Sequence, residues 1–170
     1  WGKKIGLVFQ HADRALNPNS TVWEVFKHLP IESMTKTTLL SYLSNVFSHV
    51  DEVFLNKKTS ELSGGQKQRI MLARALAVDP KILLLDDFTA RVDTNTEKRI
   101  LENIQKNYPD LTLLSVTQKI ASVENYDKVI LLMQGEIIAS GSHQELLKSS
   151  PEYVQIYNSQ QSTSNYELQS

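Results

Sequence analysis

The sequence contains no cysteine, which excludes disulfides, thiolate metal sites and a cysteine nucleophile. This absence is typical of a protein in a reducing compartment. No apolar run approaches the roughly 20 residues that a membrane-spanning helix needs. The 18 lysines and arginines nearly balance the 19 aspartates and glutamates, so the net charge of −1 offers nucleic acid or acidic lipid no general attraction. Nucleic acid is therefore not a predicted partner.

A phosphate-binding P-loop of the form G-x-x-x-x-G-K-[S/T] is also missing from the 170 residues. Such a loop surrounds nucleotide phosphates with backbone N–H groups and a lysine, so most of those contacts are absent from this chain. The chain begins at Trp1 and not at a methionine, and a strand-like run follows within a few residues. We therefore expect it to be a piece of a longer protein.

Apolar runs that alternate with helical patterns predict an α/β fold with a parallel sheet. The predicted strands are residues 5–9, 82–85 and 111–116. The uninterrupted apolar run at 82–85 is typical of a central parallel strand that is covered on both faces. Between residues 21 and 54, apolar side chains recur at spacings of three, four and seven, which predicts a small helical subdomain.

Caps and turns predict the remaining elements. Thr94 and Glu97 have the spacing of a capping box, which predicts Thr94 as the N-cap of a helix that continues through Ile104. Later in the chain, residues 129–133 and 136–139 flank a Gln-Gly pair, a hairpin signal, and Ser142 with Glu145 caps another helix. Residues 159–170 are almost all Ser, Gln, Asn and Thr, which predicts a disordered tail.

The strongest chemical signal is the string Ser63-Gly64-Gly65-Gln66, which opens a helix-compatible stretch at 66–78. Glycines at a helix start leave backbone N–H groups without partners, and a serine hydroxyl adds a donor, so such an end can hold a phosphate oxygen. A glycine-rich turn with a serine cap is the favoured explanation of Ser-Gly-Gly taken alone. Lys67 and Arg69 are interpreted as helix-face charges.

The longer string, from Leu62 through Gln66 and on to Leu76, resembles the signature motif of ABC transporter ATPases, and the resemblance extends from Ile5 to about Ser159. It implies a P-loop NTPase-like core that is truncated before the Q-loop, with an α-helical subdomain, and it implies ATP and Mg²⁺ as ligands. In that family each nucleotide lies between the Walker motifs of one subunit and the signature of the other. The resemblance therefore implies that Ser63, Gly64, Gly65 and Gln66 act on the site of a second ABC ATPase subunit.

Further matches concern this chain's own site. Asp86, at the end of the strand at 82–85, resembles the Walker B aspartate that supports Mg²⁺, and Gln10 resembles the Q-loop glutamine, which touches the metal and the attacking water. Asp87 stands where most members carry a catalytic glutamate, and Gln118 where most carry a switch histidine. A shorter carboxylate and a neutral amide predict very slow turnover at this site. An Asp-Asp helix cap or solvated turn is the alternative.

Asp93 resembles the D-loop aspartate, which meets its counterpart across the dimer in this family, and a helix-entry turn is its alternative. Two altered positions beside an intact signature resemble one subunit of a heterodimeric ABC exporter. The sequence from Val8 to Val22, in contrast, resembles that of peptide or nickel importer ATPases. Two other functions are alternatives. One is a non-transport ABC ATPase that acts in DNA repair or translation, and the other is a structural or regulatory ABC-like protein that no longer binds nucleotide.

These matches divide the chain into four segments. They are a core strand with the Q-loop (1–18), a helical subdomain (19–80), the second part of the core (81–158) and the tail (159–170). We expect the full-length protein to hydrolyse ATP, work with transmembrane domains and lie at the cytoplasmic face of the membrane. This piece alone is expected to be inactive because it lacks the P-loop.

Overall fold

The structure, a computed structural model, describes residues 5–31, 34–88 and 92–167. The chain forms two compact units, one that ends at Thr117 and one that begins at Gln118. Trp1 and residues 89–91, which precede Val92 and Asp93, lie outside the described residues.

A three-stranded parallel sheet forms the centre of the first unit. Its strands are β1 (Ile5–Val8), β2 (Ile82–Asp86) and β3 (Thr112–Val116), in the order β1-β2-β3. The prediction that the second run is the central parallel strand is therefore confirmed. In the described residues, β2 is not covered on both faces. Leu83 and Leu85 on one face are buried, whereas Ile82 on the other face is 37% exposed.

The described residues of the first unit also contain six α-helices. They are α1 (Ala12–Ala15), α2 (Val22–Phe26), α3 (Lys36–Ser44), α4 (Glu52–Asn56), α5 (Gly64–Leu76) and α6 (Thr94–Asn107), with a 3₁₀ turn at Thr59–Glu61. One apolar core joins them to the strands, and it includes Phe26, Leu43, Ile70 and Leu83. The predicted helical subdomain thus shares its core with the sheet.

The start of α6 differs from the prediction. Its N-cap is Asp93, whose Oδ1 accepts a hydrogen bond from the Thr96 N–H at 2.9 Å, so the predicted cap at Thr94 is wrong. Asp93 has the extended backbone of a cap, with φ −67° and ψ 152°, whereas Thr94 is already helical. Aspartate and threonine both cap helices, and the one that adopts the non-helical backbone becomes the cap.

The second unit contains the predicted hairpin and two helices. Strands β4 (Val129–Met133) and β5 (Glu136–Gly141) pair antiparallel through a turn with φ of 50° at Gln134 and 84° at Gly135. A 3₁₀ turn lies at Ile120–Ser122, and the helices are α7 (His143–Ser149) and α8 (Pro151–Glu167). The predicted capping box of Ser142 and Glu145 is confirmed by reciprocal bonds of 2.8 and 3.3 Å.

The tail also differs from the prediction, because residues 159–167 continue α8 as helix. The Gln160 side chain explains part of this order. Its Nε2 donates to the Gln118 carbonyl at 2.7 Å and its Oε1 accepts from the Ile120 N–H at 2.9 Å. Composition alone does not reveal such a specific contact. None of the helices in the described ranges is long and apolar enough to cross a membrane.

Candidate functional site

The start of α5 is held by a capping box. Ser63 has an extended backbone, and its Oγ accepts from the Gln66 N–H at 3.2 Å. In return, Gln66 Oε1 accepts from the Ser63 N–H at 2.9 Å. These two bonds fix the serine and glutamine side chains against each other, and they define where the helix begins. The predicted helix start is therefore confirmed.

Gly64 and Gly65 are the first two residues of α5. Amides in the first turn of a helix have no carbonyl four residues earlier to accept from them. In the described part of the chain, no acceptor is recorded for the N–H of either glycine, while the Lys67 N–H bonds to the Ser63 carbonyl at 2.9 Å. The Ser63 Oγ accepts one bond, which leaves its O–H free to donate elsewhere. This helix end therefore presents several donors and the positive end of a helix dipole.

Arg69 contacts both the first turn of α5 and an aromatic ring. Its Nε donates to the Gly65 carbonyl at 3.3 Å, and its guanidinium lies 4.5 Å from the centre of the Phe47 ring. Burial lowers the pKa of the guanidinium, with Arg99 adding to the decrease and Asp93 opposing it. Arg69 is therefore a half-buried charge on the face of α5, and its side chain also packs onto an aromatic ring.

A second group of predicted residues meets at the carboxyl end of β2. Gln10, just after β1, donates from Nε2 to Asp87 Oδ2 at 3.0 Å. Asp87 has a left-handed backbone with φ 42°, and its N–H donates to the Val116 carbonyl at 2.9 Å, which extends the pairing with β3. Two predicted catalytic residues that are 77 positions apart are therefore in direct contact.

An open pocket lies beside this contact. It is lined by Phe9, Gln10, His11, Arg14, Ala15 and Asp86. Asp86 is exposed at the end of its strand, so its carboxylate is accessible from the pocket. The carboxyl ends of parallel strands are the usual place for ligands in open α/β sheets. The pocket therefore joins the predicted metal-supporting residues, Asp86 and Gln10.

The oxygens at this strand end fit Mg²⁺ in kind and in number. Mg²⁺ is commonly held by one or two carboxylates together with waters and substrate phosphates. Within the described ranges, no group of three or more His, Asp or Glu residues could hold a metal by itself. Asp86 and the amide oxygen of Gln10 therefore suit a metal that is shared with a phosphate, and not a metal enclosed by protein alone.

The two remaining predicted residues are Gln118 and Asp93. Gln118 is the first residue of the second unit and is exposed, and its carbonyl accepts from Gln160. Asp93 is exposed, and the hydrogen bond from the Thr96 backbone lowers its pKa. The structure thus supports the helix-entry interpretation of Asp93, and its interface role stays a prediction.

The sequence interpretation missed Gln68. This side chain is only 2% exposed, and its Nε2 donates to the Phe9 carbonyl at 2.9 Å, although the two residues are 59 positions apart. The available signal was a polar residue on the apolar face of α5, since it shares that face with Leu72 and Ala75. Buried polar groups are nearly always hydrogen-bonded, so such a residue predicts a specific partner.

Comparison with known proteins gives consistent matches. A family model described as "ABC transporter" matches residues 1–90. The chain is 47% identical over 109 residues to the uncharacterized ABC transporter ATP-binding protein YfiB of Bacillus subtilis (strain 168), which covers 64% of this chain and 19% of that protein. It is 32% identical over 154 residues to the leukotoxin translocation ATP-binding protein LktB of Mannheimia glucosida, which covers 87% of this chain and 22% of that protein. The chain thus spans about a fifth of these relatives.

A solved structure supports the fold. The structure of a bacterial Atm1-family ABC exporter with ATP bound matches with a TM-score of 0.79 and 24% identity. That match covers 93% of this chain and 28% of the exporter chain. The predicted α/β fold of the P-loop NTPase-like ABC type is therefore confirmed. Because the family model covers more than half of the sequence, the chain belongs to the ABC transporter family.

Proposed function

We propose that this chain is part of the ATP-hydrolysing subunit of an ABC exporter, and that it contributes an intact signature to a partner subunit while its own site turns over slowly. The observation that carries the proposal is the start of α5, where Gly64 and Gly65 present N–H groups without an internal acceptor. Two relatives are named for multidrug resistance and for leukotoxin translocation, and these names support export. The importer, DNA repair and translation alternatives have no comparable support.

The start of α5 is suited to a terminal phosphate. The two glycine N–H groups and the Ser63 hydroxyl can donate to one or more phosphate oxygens, and the helix dipole favours the negative charge. The capping box fixes Ser63, so this arrangement needs little rearrangement on binding. Preorganised donors of this kind stabilise charge that develops on a transferred phosphoryl group. In our proposal that phosphate belongs to ATP held by the partner subunit.

The carboxyl end of β2 forms part of the chain's own site. There Asp86, with the amide oxygen of Gln10, would hold Mg²⁺, and the metal would neutralise charge on the β- and γ-phosphates when bound. Gln10 also holds Asp87 through its Nε2. We infer that this contact keeps the Asp87 carboxylate beside the metal-binding pocket, where it would face an attacking water.

Two features make this site slow in our proposal. Asp87 is one methylene shorter than glutamate, and a general base must come within about 2.6 to 3.2 Å of the proton that it removes. Its Oδ2 already accepts from Gln10. Gln118 carries a neutral amide, which cannot take up and release a proton as histidine does. Positioned acid–base groups supply roughly 10² to 10⁴ in rate, so their loss predicts very slow hydrolysis.

Partners follow from the same arrangement. A signature that acts on another subunit's nucleotide requires a second ABC ATPase subunit, and unequal sites favour a heterodimer. Transport requires transmembrane domains, which lie outside these 170 residues in our proposal. The ATPase domain would then lie at the cytoplasmic face of the membrane, where ATP is available.

The test uses the full-length protein assembled with its partner in lipid. Vanadate traps nucleotide at a site that has hydrolysed ATP, and a photoreactive ATP analogue then labels the polypeptide that carries the Walker motifs of that site. We expect about tenfold more label in the partner than in the polypeptide that carries Asp87, since the acid–base groups of its site are altered. Equal labelling would contradict the slow site, and no trapped nucleotide in either polypeptide would contradict the whole proposal.

A further inference from the structure

The buried Gln68 connects the start of α5 with the carboxyl end of β2, which have different roles in the proposed function. It lies in α5, five residues after Ser63, and it donates to the carbonyl of Phe9, the residue directly before Gln10. Gln10 in turn donates to Asp87. A chain of two hydrogen bonds and one peptide unit therefore runs from the helix that carries the signature to the carboxylate of the chain's own site.

A second contact prevents α5 from sliding along β1. A Cβ atom at Gly6 would lie 3.1 Å from Leu83 Cδ1 and 3.2 Å from the Ala75 carbonyl, so the helix packs tightly on the strand there. Glycine is needed at this position because any side chain would push the helix away. The contact at Gly6 and the bond at Phe9 thus hold the helix to the strand at two places.

The spacings of these two contacts agree with each other. Gly6, in β1, and Phe9, directly after it, are three residues apart, which corresponds to about 10 Å of extended chain. On α5, Gln68 and Ala75 are seven residues apart, which corresponds to about 10 Å of helix. The two elements therefore run alongside each other in opposite directions, and a regular helix is a stiff body over two turns. A displacement of the α5 start must consequently be passed to the end of β1.

We propose that Gln68 is a positioning residue that couples phosphate contact at the start of α5 to the placement of Gln10. This inference rests on the proposed function, because it assumes that the helix start binds a nucleotide held by the partner. When that phosphate draws on the amides of Gly64 and Gly65, α5 shifts as a unit. The Gln68 bond to Phe9 then moves Gln10 and, through it, Asp87. Binding at the partner's site thereby adjusts this chain's own site.

Burial explains why a glutamine suits this role. At 2% exposure, the Gln68 amide has little competition from water, so its bond to Phe9 persists while the surroundings move. A methionine has nearly the same length and shape but no donor. Gln68→Met therefore removes the bond while keeping the packing of α5. Gln105, on an exposed face of α6, provides the matched control Gln105→Met.

The experiment measures amide hydrogen exchange in the full-length protein assembled with its partner, with and without ATP and Mg²⁺. Every sample carries Asp86→Asn, which removes the carboxylate proposed to hold Mg²⁺ beside Gln10, so that slowing at Gln10 reports contact at the partner's site. In the unchanged protein, we expect ATP to slow exchange both in the peptide that contains Gly64 and in the peptide that contains Gln10. In Gln68→Met, the slowing at Gly64 should remain and the slowing at Gln10 should be mostly lost. Gln105→Met should behave like the unchanged protein.

The outcomes separate the inference from the function on which it rests. Slowing at Gln10 that is equal in Gln68→Met and in the unchanged protein would overturn the coupling and leave the proposed function intact. No slowing at Gly64 in the unchanged protein would overturn the proposed function and, with it, the inference. If Gln68→Met does not fold, Gln68→Asn keeps the amide but is too short for the 2.9 Å contact, and the same loss at Gln10 is expected.

Discussion

The start of α5 and the end of β2 differ in the kind of polar group that each presents. At the start of α5 the groups are donors, namely two glycine N–H groups and a serine hydroxyl, held by a complete capping box. At the end of β2 the groups are mainly acceptors, the carboxylates of Asp86 and Asp87, with Gln10 against one of them. Donors can bind phosphate directly, whereas carboxylates repel it unless a metal lies between. The two regions are therefore suited to different parts of a nucleotide.

The same regions differ in how well each keeps the arrangement that its proposed role needs. The helix start has the glycine N–H groups, the serine hydroxyl and the complete capping box that its proposed role uses. The strand end has a short carboxylate on a left-handed backbone at Asp87. An unequal pair of nucleotide sites follows if the two regions serve different nucleotides.

The largest effect is expected from Gly65→Asp in the full-length protein assembled with its partner. Aspartate is favourable in the first turn of a helix, so the fold should be retained. Its carboxylate would occupy the donors and repel phosphate, and loss of such donors costs roughly 100-fold or more in rate. We expect ATP hydrolysis by the assembly to fall by about that factor, with an unchanged melting temperature. Gly65→Ala, which keeps the N–H, is the matched control and should lose far less activity.

The second expected effect is an increase in ATP hydrolysis. Asp87→Glu combined with Gln118→His should raise hydrolysis at this chain's own site by about tenfold or more, because it restores a longer base and a group that can exchange a proton. Glutamate tolerates the left-handed backbone at φ 42° less well than aspartate, so a slightly lower stability is expected. Vanadate-trapped label in this polypeptide measures the gain, and labelling that stays at the original level would contradict the slow-site account.

The third effect concerns the strand that leads to Gln10. Gly6→Val places a branched side chain against Leu83 and the Ala75 carbonyl, where even a Cβ would be 3.1 to 3.2 Å away. Overpacking of this kind costs about 1 to 3 kcal/mol, which should appear as a melting temperature lower by several degrees. Leu7→Val, on the 40% exposed neighbour, is the control and should have little effect. If both variants melt alike, α5 is not packed on β1 as described.

The smallest effect is a pH dependence at Asp93. Its pKa is lowered by the hydrogen bond from the Thr96 backbone, so its charged form stabilises α6 above the ordinary aspartate pKa of about 3.9. That contribution is lost as the pH falls through the lowered pKa. Asparagine caps a helix without a charge. The melting temperature of Asp93→Asn should therefore lie below that of the unchanged protein at pH 7, and the difference should vanish in acid. A difference that is independent of pH would contradict the charged cap.

Much of the fold could be predicted from local patterns. The apolar run at 82–85 indicated the central strand, and Ser142 with Glu145 indicated the cap of α7, because spacing alone determines both. The cap of α6 was misplaced by one residue, since Asp93 and Thr94 are both suitable and only the backbone decides. Order in residues 159–167 was missed because it depends partly on Gln160, which contacts the main chain about 40 positions earlier.

The candidate site shows the same limit. The residues at the start of α5 are consecutive, so the sequence indicated the whole group and its donors. The contact of Gln10 with Asp87, and that of Gln68 with Phe9, join positions 77 and 59 apart. Resemblance to a family indicated the first pair as members of one site but not the bond between them, and nothing in the resemblance indicated the second. Long-range polar contacts depend on how the helix packs on the sheet, which a local pattern does not contain.

The most direct measurement is the ATP-dependent association of the ATPase domain of the full-length protein with that of its partner, followed by energy transfer between fluorophores on the two polypeptides. Our account predicts that ATP brings the domains together in the unchanged protein, and that Gly65→Asp abolishes the response while Gly65→Ala retains it. Association that is independent of ATP, or that is equally strong in Gly65→Asp, would contradict the claim that the start of α5 holds a phosphate of the partner's nucleotide.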